Sequence, residues 1–136
     1  MAEQDWFAEH DVIAAYSRAE AISDGMLVDV SQTAKEAGIR FPCAMTAATW
    51  ETCVAWNNAD MEAQGVPQDE VGRLWDVLMV FRHAARTADG DEFRFTVLIV
   101  PRDGHAKRAR RTELRATCGP GDTLEPVITI MLPNED

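Results

Sequence analysis

The chain has 136 residues, of which 46% are hydrophobic, and a formal net charge of −10. This length suits one globular domain, and four Trp, five Phe and clusters of Val, Ile and Leu supply enough core material to exclude a wholly disordered chain. The acidic N-terminus lacks a secretory signal, and apolar runs such as 97–100 are too short to cross a bilayer. We therefore expect a single cytoplasmic domain over residues 1–136 that has no membrane partner.

Charge is unevenly divided along the chain. Residues 1–70 contain thirteen Asp or Glu and three Lys or Arg, whereas residues 71–136 contain ten of each. Such asymmetry bears on association, solubility and steering rather than on catalysis. The sequence therefore predicts a protein whose partners are charged.

The beginning of the chain predicts short helices and one strand. Apolar spacing over residues 6–22 predicts an acidic helix and then a second helix over about 18–24. Ser17 opens the second helix through a capping pattern, and Gly25 ends it. A strand is expected at residues 26–30.

The next segment predicts a brief helix and an extended piece. Ser31 is expected to cap a helix that Gly38 ends. Residues 39–45 have extended character, but Pro42 has no backbone N–H to donate to a ladder. This favours a sheet edge or an irregular connector over a paired strand.

Two longer helices are predicted in the middle of the chain. Thr46 is expected to cap the first, which Gly65 and Pro67 close. Its inward stripe would be Trp50, Cys53, Val54 and Met61. A second helix follows, and its apolar face would be Val71, Leu74, Trp75, Leu78, Phe81 and Ala85. We expect these two helices to pack as a pair.

After a turn at residues 89–90 the hydrophobic period changes to two. Residues 93–100 and 111–118 alternate between apolar and polar, and 127–132 is continuously apolar or β-branched. Short connections favour an antiparallel meander whose third strand lies centrally and also pairs with strand 26–30. The predicted fold class is α+β, with N-terminal helices packed on a C-terminal antiparallel sheet of three to four strands.

The sequence contains no motif for catalysis or metal binding. His10, His83 and His105 lie far apart without metal-ligand spacing, and the three cysteines never form C-x-x-C. No phosphate-binding glycine loop or nucleophile elbow occurs. We predict no catalytic residue, no metal site and no cofactor, and we expect buried thiols in a reducing compartment.

The twenty-three acidic residues allow two interpretations. The simpler one is a solvated acidic face. The alternative is that the acidic N-terminal half imitates the phosphate array of DNA and occupies a nucleic-acid channel on another protein.

The segment PRDGHAKRARR, residues 101–111, is the other candidate for a binding surface. Its Pro and Asp-Gly predict turns, so its basic side chains would project from a connection between two strands. The predicted binding residues are Arg102, Lys107, Arg108, Arg110 and Arg111. These cations suit phosphate contacts, although no aromatic side chain lies among them to stack on bases. The alternatives are an ordinary solvated loop, and a homodimer in which this arm meets the acidic half of a second copy.

Three stretches of sequence resemble a known family. They are YSRAEAISDGMLVDVS, GRLWDVL and CGPGDTLEPVITIMLPNED. Over most of residues 16–136 the chain resembles a family of small uncharacterised proteins found in bacterial genomes, plasmids and phages. The resemblance implies a mobile-element context and no assigned activity, ligand or site residue. That context suits an interaction protein that binds a protein or a protein–nucleic acid complex, for instance to inhibit a host defence such as restriction or CRISPR.

An enzyme of unrecognised class acting on a small molecule is the contrasting hypothesis. Its pocket would have to assemble from dispersed residues such as Cys53, Asp76 and His83. Unchanged function after replacing His83 and Cys53 by Ala would remove this version.

Overall fold

A computed structural model describes residues 16–135 of the chain. The predicted acidic helix at the start of the chain lies outside these residues. In chain order the elements are α1 (Arg18–Ser23), β1 (Leu27–Asp29), α2 (Ser31–Glu36), β2 (Cys43–Thr46), α3 (Ala47–Thr49), a π-helical turn (Trp50–Val54), α4 (Asn58–Gln64), α5 (Glu70–Ala85), β3 (Glu92–Ile99), β4 (Arg110–Pro120) and β5 (Pro126–Met131).

One mixed sheet organises the fold. Its strand order is β1-β2-β5-β4-β3, and all neighbouring pairs are antiparallel except the parallel pair β2 and β5. The α+β class is confirmed, as are the β3-β4-β5 meander and the central place of β5. The sheet has five strands and is mixed, rather than having three or four strands that are all antiparallel.

The error in the sheet prediction comes from β2. Pro42 precedes the strand instead of interrupting it, and its carbonyl accepts a hydrogen bond from the Ile128 backbone N–H at 2.8 Å. Because the proline lies at the strand entrance, its missing N–H costs the ladder nothing. Strand β2 is therefore paired on both sides, and it separates β1 from β5, which were expected to be neighbours.

The main core lies on one face of the sheet, against α2, the π-helical turn and α5. Phe81 of α5 stacks on Phe93 with ring centroids 5.6 Å apart and meets Phe95 edge-on at 5.8 Å. On the opposite face, Arg18 of α1 donates hydrogen bonds to the Ile128 carbonyl and to Thr129 Oγ1. Helices therefore cover both faces of the β5 region.

The first of the two long helices is broken, contrary to prediction. Thr46 caps its start and Gly65 caps its end as expected. Between them the chain leaves the helical conformation at Ala55, and Asn57 caps a new helix, α4, through a capping box with Asp60. The break frees the last carbonyls of the π-helical turn for a partner from α5.

The buried face of α5 is rotated from the predicted stripe. Val71 at the start of the helix is 73% exposed, and Trp75 is also exposed. The buried positions are Arg73, Leu74, Val77, Leu78 and Phe81. The π-helical turn contacts this face, so the expected packing of the two helical segments occurs at the turn.

Candidate binding loop

The predicted binding residues lie on a loop, residues 100–109, and on the first two residues of strand β4 that follows it. We call residues 100–109 the basic loop. It connects the edge strand β3 to β4 and has no regular secondary structure. At ten residues it is longer than the usual β-hairpin connection of about two to five residues.

Gln64, the last residue of α4, holds the basic loop through its side-chain amide. The residue is 0% exposed. Its Nε2 donates to the Pro101 carbonyl at 2.9 Å and to the Ala106 carbonyl at 2.6 Å, and its Oε1 accepts from the Gly104 N–H at 3.1 Å. Since a buried amide must find partners for both ends, all these bonds favour one loop conformation.

A tight turn within the loop is stabilised by Asp103. Its Oδ1 accepts hydrogen bonds from the backbone N–H groups of Ala106 at 2.7 Å and His105 at 2.8 Å. These two bonds hold the pKa of the Asp103 carboxyl below its usual value. The turn therefore points Lys107 back to α4, where its Nζ donates to the Gln64 carbonyl at 2.8 Å.

Arg102 is engaged inside the molecule with two acidic residues from the first half of the chain. Its guanidinium contacts Asp60 Oδ2 at 2.8 Å and Glu51 Oε2 at 2.7 Å. Desolvation raises the pKa of Asp60, but the Asn57 backbone N–H and the Arg102 guanidinium outweigh it and hold this pKa below its usual value. The basic loop and part of the acidic half therefore face each other.

Arg73 is a buried side chain that binds the first residue of the basic loop. It is 2% exposed, and its guanidinium donates to the carbonyls of Val54 at 3.1 Å and Val100 at 3.0 Å. It also lies over the Trp56 ring, 4.8 Å from the centroid. Trp56, Val100 and Ala106 form a small second core. One buried cation thus joins α5, the π-helical turn and the end of β3.

Three of the predicted binding residues remain available. Arg108, Arg110 and Arg111 are exposed, and none forms an ion pair with another residue in the range 16–135. Arg108 and Arg110 line a hollow of about 540 Å³ together with His105, Ala106 and Lys107. We call Arg108, Arg110 and Arg111 the arginine cluster.

Sequence reasoning missed Gln64 and Arg73. Both are polar residues of helices, and the usual expectation for such residues is exposure to solvent. Arg73 carries a weak signal, because it falls next to Leu74 on the apolar side of its helix. Nothing in the local sequence marks Gln64, because its partners lie 37 to 42 residues further along the chain.

The residues named for an enzyme are not assembled into a site. Asp76 and His83 are exposed on α5, whereas Cys53 is fully buried in the π-helical turn. Burial raises the pKa of the Cys53 thiol to about 11, which opposes formation of a nucleophilic thiolate. No hydrogen bond within the described residues connects these three side chains.

The described residues contain neither a cluster of metal ligands nor a membrane-spanning helix. Among residues 16–135, no group of three or more His, Cys, Asp or Glu side chains could hold a metal ion. None of the helices seen in this part of the chain is long and apolar enough to cross a membrane.

Comparisons with known proteins identify a family. No curated protein and no solved structure matches the chain. A family model described as a family of unknown function, DUF6573, matches residues 3–136. Since this match covers nearly the whole length, the chain belongs to the DUF6573 family.

Proposed function

We propose that this protein acts by binding an anionic partner, either a protein or a protein–nucleic acid complex, through the arginine cluster. The observation that supports the proposal is the contrast among the predicted binding residues. Arg102 and Lys107 are bound by α4 and the π-helical turn, whereas Arg108, Arg110 and Arg111 form no ion pair with other described residues, although Arg110 is near enough to Asp103 to lower its pKa. The loop is fixed, and the arginine cluster at its end is available.

A fixed loop favours binding for an entropic reason. Ordering a mobile loop on association costs free energy that a preorganised loop has already met during folding. Here Gln64, Asp103 and Arg102 impose one conformation before any partner arrives. Guanidinium groups presented in this way suit carboxylate or phosphate oxygens, which they can bind through two parallel hydrogen bonds.

The chemistry of the loop favours contact with charged groups over contact with bases. Trp56 is the aromatic residue beneath the loop, but it is buried and its ring is covered by Arg73. Stacking on an unpaired base needs an exposed ring. We therefore propose recognition of an array of carboxylates or phosphates, without sequence-specific reading of nucleic acid.

The acidic half is the weaker candidate for the contact surface. Several of its carboxylates stabilise the fold: Asp60 and Glu51 bind Arg102, and Glu70 accepts a hydrogen bond from the Trp56 backbone N–H at 3.1 Å. Asp69 caps α5. A DNA mimic would need these groups to form a free external array. Inhibition of a host defence remains one role proposed for the binding protein, and the test below does not depend on it.

The test is a pull-down from lysate of the source cell with tagged protein, with and without nuclease, followed by mass spectrometry. The binding variant carries R108E, R110E and R111E. The matched control carries K35E, R40E and R86E, which makes the same change in net charge at exposed residues far from the loop. We expect the binding variant to lose the partner and the control to keep it.

The nuclease arm separates the two kinds of partner. Recovery that survives nuclease identifies a protein, whereas recovery only without nuclease identifies a complex that depends on nucleic acid. Equal recovery by the binding variant and the wild type would show that the arginine cluster is not the contact surface. Loss in both variants would show that only overall charge matters.

A further inference from the structure

Strand β3 is an edge strand of the sheet, and its outer edge is open to pairing with another strand. It is eight residues long and pairs with β4 in unbroken register from Glu92 to Ile99. No described strand pairs with its other edge. The strand contains no proline and no bulge, two devices by which proteins protect exposed edges, and its charged residues Glu92 and Arg94 form ion pairs with Arg115 and Glu113 of β4.

The hydrogen-bond pattern between β3 and β4 defines which backbone groups of β3 face the open edge. The Cys118 N–H donates to the Asp91 carbonyl at 2.8 Å, so Asp91 and Cys118 form a hydrogen-bonded pair. Such pairs alternate along an antiparallel ladder. The N–H and C=O groups of the intervening residues, Glu92, Arg94, Thr96 and Leu98, therefore point away from β4, toward the open edge.

The two ends of this edge carry opposite charge. Asp89 and Asp91 precede β3, are exposed, and form no ion pair with other described residues. At the other end, Arg111 lies directly opposite Leu98 and Arg110 directly opposite Ile99 on strand β4. Two aspartates thus precede the edge strand, and two arginines lie one strand inward from its far end.

We infer that the open edge of β3 pairs antiparallel with β3 of a second copy of this chain, about a two-fold axis near Phe95 or Thr96. Antiparallel pairing brings Asp89 and Asp91 of each copy to the end of β3 in the other, one strand away from Arg110 and Arg111 and within reach of these long side chains, so the attraction occurs twice. Parallel pairing would bring like charges together.

An apolar side chain adds to the contact. Leu98 is 62% exposed on the face where it meets Arg111, and it lies at the same edge. Pairing would remove part of its surface from water and satisfy the free backbone groups from Glu92 to Leu98. The product is a continuous ten-stranded sheet across two copies. The opposite edge, β1, has only three residues and offers a much shorter ladder.

The inference differs from the sequence-based homodimer hypothesis, which paired the basic arm with the acidic half. The counter-charges here are Asp89 and Asp91, from the second half of the chain. The inference does not rest on the proposed function, because pairing needs the β3 backbone. In the dimer the second copy would engage Arg110 and Arg111, so an external anion would compete with it for these two residues.

Sedimentation velocity over a protein concentration series tests the inference. The wild type should show a monomer–dimer equilibrium. D89R with D91R should raise the dimer dissociation constant about tenfold or more, because like charges then meet twice. Adding R110D and R111D to that variant should restore the wild-type constant. E36R with E62R, at exposed positions outside the edge, is the matched control and should leave the constant unchanged.

A backbone variant separates pairing from charge. T96P removes an N–H that points to the open edge and leaves the β4 ladder intact, so it should abolish the dimer while far-UV circular dichroism stays native. A wild type that is monomeric at every concentration would overturn the inference. So would a dimer whose dissociation constant responds equally to the edge and control variants. Retained partner capture by T96P would show that the loop acts without the dimer.

Discussion

Gln64 connects helix α4 to a loop 37 to 42 residues further along the chain through three hydrogen bonds from one side chain. Losing this side chain should cost more stability than losing three hydrogen bonds on the exposed surface. When the amide is lost, the Ala106 carbonyl stays buried without a partner, and the partly buried Pro101 carbonyl and Gly104 N–H lose theirs. Removing Gln64 should therefore change two quantities that can be measured separately: the free energy of unfolding and the hydrogen-exchange rate of the basic loop.

Gln64→Leu should therefore destabilise the protein by about 3 kcal/mol, because two carbonyls and one N–H lose their partner. Urea unfolding measures the loss, and hydrogen exchange of residues 100–109 should become faster. Gln32→Leu, at an exposed helix position, is the matched control and should change stability by less than about 0.5 kcal/mol. Equal effects of the two variants would contradict the role given to Gln64.

Single residues also show where sequence reasoning stops. The capping roles of Thr46 and Gly65 follow from local chemistry and are confirmed. Arg102 was predicted as a contact residue, and its chemistry gave no reason to separate it from Arg108. The difference is that Asp60 and Glu51 lie beside Arg102 in the fold. Such a contact between distant residues is not encoded in the local pattern.

At the scale of elements, alternation of apolar and polar residues predicted β3 and β4, and a continuous apolar or β-branched run predicted β5. Strand β2 could not be recognised in the same way. It is four residues long, three of them buried, and follows a proline. The break between α3 and α4 was equally hidden, because apolar spacing continues across it while the capping box at Asn57 decides the local conformation.

Helix α1 is tied to the β4–β5 loop by Asp122. This carboxylate accepts hydrogen bonds from the backbone N–H groups of Arg18 at 2.8 Å and Ala19 at 3.0 Å, and these bonds hold the pKa of Asp122 below its usual value. A group whose pKa is lower in the folded state adds stability above its unfolded pKa. That stability is lost as the pH falls through the folded pKa.

We therefore expect the stability difference between wild type and Asp122→Asn to be largest above about pH 4 and to shrink as the pH is lowered further. Urea unfolding at a series of pH values measures it. Glu62→Gln, at an exposed position without a side-chain hydrogen bond to the described residues, is the control. A difference that is independent of pH would show that the charge of Asp122 does not stabilise α1.

At the scale of the whole molecule, a net charge of −10 coexists with a small basic surface. The structure explains how this is possible, because Arg102 and Lys107 are bound to α4 while the arginine cluster faces outward. An anionic partner would be repelled by most of the molecule and attracted most strongly at this cluster. Orientation is therefore set before contact, through the field of the protein.

Salt should weaken partner binding in proportion to the number of arginines involved. If the partner presents duplex nucleic acid, three phosphate contacts give a slope of about −2.7 in a plot of the logarithm of affinity against that of salt concentration. Fluorescence anisotropy with a labelled form of the captured partner measures this slope. A slope near zero would exclude an electrostatic contact through the arginine cluster.

The parallel pairing of β2 with β5 has a consequence for the order in which the protein folds. Cys43 and Ile128 are neighbours in the sheet although they are 85 residues apart in the chain. During synthesis, the β1–β2 pair must wait for β5 before it gains its inner neighbour, and β3 with β4 must wait as well. Closing such a long loop is slow, so we expect the sheet to form late and the nascent chain to depend on its helices for early protection against aggregation.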